Sequence, residues 1–76
     1  MNELHIRNFE ISGSQTLHCA GCERAVELTL LRVPGVARAK ADHRTQTIEV
    51  ALLPGAAADP ILAALEELGY RAHPCD

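Results

Sequence analysis

Two proline–glycine pairs, Pro34-Gly35 and Pro54-Gly55, cut this chain into segments of different periodicity, and that punctuation leaves few folds open. Ahead of the first pair, from Ala20, the spacing Cys22, Val26, Thr29, Leu30, Val33 makes a helical stripe, with Glu23, Arg24, Glu27 and Arg32 on its outer face. Between the pairs, residues 36–41 alternate, Val36, Ala39 and Ala41 being separated by Arg38 and Lys40. Ile48, Val50 and Leu52 alternate again after the polar turn 42–46, so this stretch reads as a β-hairpin. Beyond the second pair, Asp59 reads as an N-cap with Pro60 in the first turn. Ile61, Leu62, Ala64, Leu65 and Leu68 then form an apolar helical face up to Gly69.

The two ends are written less cleanly. Leu4 and Ile6 alternate, as do Phe9 and Ile11, with the phase slipping at Arg7 and Asn8 as it would across a bulge or between two short strands. Tyr70, Arg71 and Ala72 begin a short last strand that Pro74 cuts. The order is therefore β-α-β-β-α-β. At 76 residues the chain is near the lower limit for a single hydrophobic core and has room for one domain, 1–76. Its only aromatics are Phe9 and Tyr70, so the core is aliphatic and suits a thin two-layer architecture. The expected fold is α+β: a ferredoxin-like βαββαβ sandwich, with a four-stranded antiparallel sheet and two helices on one face.

Composition excludes several partners. Seven basic against ten acidic residues give a formal charge of −3, with no basic run, which argues against phosphate backbones and anionic lipid. Ferredoxin-like domains that bind RNA stack bases on aromatics of the central strands, and two aromatics do not supply that surface. The opening MNELHIRNFE carries charges at Glu3, Arg7 and Glu10, so it reads as neither a signal peptide nor a membrane span. The expected location is the cytoplasm, with Met1 and the tail at Asp76 read as natural ends of a free-standing chain. In that reducing compartment an odd set of three cysteines points to metal or redox chemistry before disulfides.

Cys19 and Cys22, in TLHCAGCERAV, fall at the loop end and in the first helical turn. Backbone N–H groups and the positive end of the helix dipole there favour thiolate, and Arg24 adds positive charge. Two soft thiolates on a loop with no enforced third ligand suit a two-coordinate d10 ion, Cu(I) above zinc, which prefers four ligands. A thioredoxin-like redox pair, a closed structural zinc site and accidental thiols are the other readings; the first needs a longer chain and the second two more ligands.

The ordered set Leu17, His18, Cys19, Ala20, Gly21, Cys22, then Val26, Leu30 and Val33, then Pro34, Gly35 and Val36, and late Gly69 and Tyr70, resembles the heavy-metal-associated domain family. That family includes soluble copper chaperones, N-terminal domains of metal-pumping P-type ATPases and periplasmic mercury-binding proteins. Thr16 and Leu17 stand where the family usually has Gly-Met, Leu17 replacing the methionine that packs beneath the loop. The run from Ile11 to Leu17 is longer than the family's usual connection.

The resemblance implies a non-enzymatic carrier. It would bind Cu(I), or alternatively Zn(II) or Hg(II), through Cys19 and Cys22. It would then pass the ion by ligand exchange to a heavy-metal P-type ATPase or its N-terminal metal-binding domain. The alternatives are a regulatory or delivery domain of such an ATPase and, from another class, a thiol oxidoreductase. The protein would be monomeric without metal, with a metal-bridged dimer as a second state. Tyr70 is expected over the metal loop, either as a packing residue or limiting solvent access; His18 is either an exposed bystander or a third ligand or protonation switch. His5 and His43 read as bystanders. Cys75 lies five residues past Tyr70, and at about 3.3 Å each a regular strand carries it roughly 16 Å from the loop. Only a turned-back tail or a second molecule would make it a third sulfur ligand.

Overall fold

Val50, Ile48 and Leu52 point into the core from the most apolar strand of the chain, and that strand takes a central place in the sheet. The structure, a computed structural model, describes residues 3–75; the ends at Met1 and Asp76 lie outside the described residues. The elements are β1 (His5–Ile11), α1 (Ala20–Leu31), β2 (Val36–Asp42), β3 (Thr47–Leu52), α2 (Asp59–Glu67) and β4 (Ala72–Pro74). The strands form one sheet in the order β2-β3-β1-β4 with every pairing antiparallel. This is the expected ferredoxin-like sandwich. Phe9, Ile11, Ala41, Ile48, Val50 and Leu52 from the sheet meet Val26 and Leu30 of α1 and Ile61 and Leu65 of α2. Leu17 and Tyr70 close the same core at the end where the cysteine loop runs.

Four local expectations are corrected. The phase slip in β1 is not a bulge: the strand pairs without interruption from His5↔Leu52 to Glu10↔Thr47. Phe9 and Ile11 face the core while Ile6 lies exposed. The irregularity sits instead in β2, between Val36 and Arg38, where the spacing from Val36 to Ala39 already breaks the two-residue period. Asp59 is not the N-cap of α2; Ala58 is, without a side-chain cap, and Asp59 lies in the first turn, where its charge complements the helix dipole. The last strand starts later than expected and Pro74 belongs to it, opposite Phe9. Proline is tolerated there because β4 is an edge strand with no outer partner for the missing N–H.

Gly35 and Gly69 are required by backbone conformation. Gly35 turns the chain from α1 into β2 at φ +92°, and a Cβ there would lie 2.6 Å from Ala56 Cβ. Gly69, at φ +93°, follows α2 in a Schellman motif: its N–H donates to Glu66 O at 2.9 Å and the Tyr70 N–H to Leu65 O at 2.9 Å. That motif sets the direction in which Tyr70 leaves the helix.

Candidate metal centre

Cys19 is the N-cap of α1, with extended backbone (φ −160°, ψ −178°) and no side-chain capping bond. Its carbonyl accepts the Glu23 N–H at 3.1 Å, the first bond of the helix, while its sulfur stays exposed. Cys22 sits in the first turn, half-buried against the core. The Cys22 sulfur is held below the ordinary thiol pKa, above all by the backbone N–H of His18. Burial opposes this; the Cys19 N–H, the Tyr70 hydroxyl and the Cys19 thiol reinforce it. These donors favour thiolate where the helix terminus already does. Tyr70 is 8% exposed, and burial, followed by its bond to Cys22, raises its phenol pKa, so it remains a protonated donor. Cys19, Cys22 and Tyr70 thus influence one another's ionisation at one end of the sheet.

The loop carrying this group is tied to the fold at several points. Ser12 and Gly13 donate their N–H groups to Arg71 O at 2.8 and 3.3 Å, which anchors the long connection after β1 beside β4. Leu17 is 3% exposed and packs under the cysteines. Its N–H donates to Gln46 Oε1 at 2.8 Å and its carbonyl accepts from Gln46 Nε2 at 2.7 Å. Glu23 and Glu27, expected on a solvated face, reach across to the hairpin. Glu27 Oε2 accepts the Ala41 N–H of edge strand β2 at 2.9 Å. Glu23 Oε2 accepts the His43 N–H at 2.7 Å and meets His43 Nδ1 at 2.6 Å. That N–H, then the imidazole, hold the Glu23 carboxyl below its usual pKa. His43 is therefore no bystander, as its place in the turn suggested, but half of a tie between the hairpin and the first turn of α1.

The other residues singled out by the sequence lie apart. The His18 side chain is exposed, and its contribution to Cys22 is its backbone N–H. Arg24 is exposed on α1, and His5 is exposed on β1. Cys75 is exposed, and its N–H donates to Asn8 O at 2.9 Å, which keeps the tail along β1 past Pro74. Among the described residues no third His, Cys, Asp or Glu donor joins Cys19 and Cys22. The group that does gather three donors within 4.8 Å is Glu23, Asp42 and His43. Its atoms are already engaged: Glu23 Oε2 by His43, and Asp42 Oδ1 by the Arg44 N–H at 2.8 Å. Gln46 was not visible as a functional residue, since its partner at Leu17 lies 29 positions away. The one signal was a turn, 42–46, lacking glycine and asparagine at its left-handed position.

A pair of cysteines at the start of the first helix, on a βαββαβ sandwich and under a tyrosine from the end of the second helix, defines the class of small domains that present two thiols at one end of the sheet. The chain belongs to the heavy-metal-associated domain family, whose model matches residues 14–71. It is 35% identical to NmerA, the N-terminal domain of Tn501 mercuric reductase, over 91% of this chain and 96% of that one, with a TM-score of 0.72. Against the Hg(II) complex of that domain the identity is 33%, with the same coverage and a TM-score of 0.75. The N-terminal domain of a potential copper-translocating P-type ATPase from Bacillus subtilis, in its Cu(I)-loaded state, is 27% identical over 95% of this chain and 88% of that one, with a TM-score of 0.80. Among the described residues no helix is long and apolar enough to cross a membrane.

Proposed function

We propose that this domain is a carrier of a soft d10 metal ion, Cu(I) in the first place, held by the thiolates of Cys19 and Cys22. One observation carries the reading. Cys19, exposed and uncapped, and Cys22 stand together at the start of α1, and among the described residues no third His, Cys, Asp or Glu donor joins them. Two thiolates satisfy a two-coordinate ion and leave zinc short of ligands. Transfer proceeds by ligand exchange. A thiolate of a partner Cys-x-x-Cys domain, such as the N-terminal domain of a metal-pumping P-type ATPase, adds to the ion; one of the two thiolates here departs and takes a proton, and a second exchange completes the handover. The ion keeps its oxidation state and no substrate bond breaks, so the role is carriage and not catalysis. The cytoplasm supplies the reducing conditions that keep both thiols free, and residues 1–76 act as one such domain.

A second reading has its own support. The identity to the mercuric reductase domain, 33% in its Hg(II) form, exceeds the 27% to the copper ATPase domain. Hg(II) is also a soft d10 ion content with two thiolates, so the same geometry serves an Hg(II) carrier. Titration of the reduced protein with Cu(I), Hg(II) and Zn(II), each against a chelator of known affinity, tests both. The expected result is one Cu(I) or Hg(II) per chain, zinc much weaker, and loss of tight binding in Cys19→Ser and Cys22→Ser with the fold retained. Zinc displacing both soft ions at comparable concentration would overturn the proposal.

A further inference from the structure

Among the described residues, Gln46 is the one non-glycine residue at positive φ, +58°. A long side chain is unusual there, where glycine or asparagine fits with less strain. Its carboxamide accounts for the choice. Oε1 accepts the Leu17 N–H at 2.8 Å, and Nε2 donates to Leu17 O at 2.7 Å and to His43 O at 2.6 Å. The amide cannot be turned over, because Leu17 N–H only donates and the two carbonyls only accept. The Gln46 main-chain carbonyl in turn accepts the Ile11 N–H at 2.9 Å, joining the hairpin to the end of β1. One residue of the β2–β3 turn thus grips the loop on which the cysteines stand.

The grip has a direction. The Leu17 carbonyl and the His18 N–H belong to one planar trans peptide, so they point to opposite sides. With Gln46 Nε2 on the carbonyl, the His18 N–H is turned to the side away from Gln46. The buried Leu17 side chain removes the remaining freedom to rotate.

We propose that Gln46 is a positioning residue of the metal centre: by holding both main-chain polar groups of Leu17, two residues ahead of Cys19, it sets the Leu17–His18 peptide plane and so the course of the loop into the first thiol before any ion arrives. The inference rests on the reading of Cys19 and Cys22 as metal ligands. It assigns a function to a turn residue hydrogen-bonded to neither cysteine, and metal sites depend on such outer partners by about 10- to 100-fold in affinity.

Two substitutions separate the positioning role from general stability. Gln46→Gly keeps the left-handed turn and removes the carboxamide; Gln46→Glu keeps the shape and an acceptor for the Leu17 N–H but loses the donor to both carbonyls. Amide hydrogen exchange is measured on the reduced, metal-free proteins, alongside Cu(I) and Hg(II) competition titrations and urea unfolding. In Gln46→Glu the Leu17 amide is expected to keep its protection, since the acceptor is retained. In Gln46→Gly the Leu17 amide loses it and the Ile11 amide keeps it. Both variants are expected to bind Cu(I) or Hg(II) about tenfold more weakly, with the urea midpoint of Gln46→Gly near that of wild type. Wild-type affinity in both variants, or a weakening that merely follows a lowered urea midpoint, would overturn the positioning role alone. Failure of the wild-type protein to bind either ion would instead bring down the metal reading of the cysteines, and with it the site that Gln46 serves.

Discussion

Leu30 is fully buried on the stripe that begins at Cys22 and passes through Val26, two helical turns from the metal loop. Leu30→Ala therefore asks whether the core and the site form one cooperative unit. At about 0.8 kcal/mol per buried carbon, removing the isopropyl group forfeits about 2.4 kcal/mol of transfer energy. The cavity left in a close-packed core raises the total to about 3–5 kcal/mol. A chain of 76 residues has about 4–11 kcal/mol of stability in all. The metal-free variant should thus stand near its folding limit, with a urea midpoint lowered by at least about a quarter and an unchanged slope.

An ion that binds only the folded state returns about 2.7 kcal/mol when present at 100 times its Kd. Saturating Cu(I) or Hg(II) should then restore most of the lost transition in Leu30→Ala, and Cys22→Ser added to the same chain should abolish the rescue. Circular dichroism against urea, with and without the ion, reads both effects. A loss below about 1 kcal/mol would refute the packing argument, because truncating an anchoring core leucine costs well above that. Rescue that survives Cys22→Ser would refute the link between site and fold.

Tyr70→Phe should raise the Cys22 thiol pKa, since it deletes a hydroxyl donor that favours thiolate; the pH profile of Cys22 alkylation should move upward against a Cys19→Ser, Cys75→Ser background carrying Tyr70. The Glu23 carboxyl has a folded pKa below its unfolded one, so its contribution is present above the unfolded value and is lost as pH falls through the folded value. The gap in urea midpoint between wild type and Glu23→Gln should therefore close on acidification below about pH 5, and a gap that widens would contradict the His43 tie. Gly35→Ala should destabilise by about 1–3 kcal/mol or more through its positive φ and the approach to Ala56, read by the same urea curves.

Burial is what made most of this fold legible. Val26 and Leu30 repeat at helical spacing, and Ile48, Val50 and Leu52 alternate, because each set has to face one core, and Gly35 and Pro54 mark where those periods must stop. The errors fell where a second force competes with burial. Ile6 is apolar yet exposed, so it mimicked a slipped phase in β1; Pro74 reads as a strand breaker, yet at a sheet edge its missing N–H costs nothing. The cysteine pair was visible because both thiols lie within one turn of chain. Tyr70 could be placed beside them only through the family resemblance, since the Schellman turn that aims it is a property of the folded backbone.

The ties that hold the metal loop left no such trace, and the reason is physical. Glu23 to His43, Glu27 to Ala41 and Gln46 to Leu17 are each a side chain bonded to, or including, a main-chain group 14 to 29 positions away. A main-chain N–H or carbonyl is present at every residue of that kind, so nothing in the partner's identity advertises the contact. All three ties converge from α1 and the cysteine loop on strand β2 and the β2–β3 turn, and none belongs to the sheet ladder. Loop order at the site therefore rests on a few polar side chains, and a single substitution such as Gln46→Gly can release it while the sheet and both helices stand. The carrier proposed for this chain would need that separation, with the site free to loosen at a cost smaller than unfolding the domain that presents it.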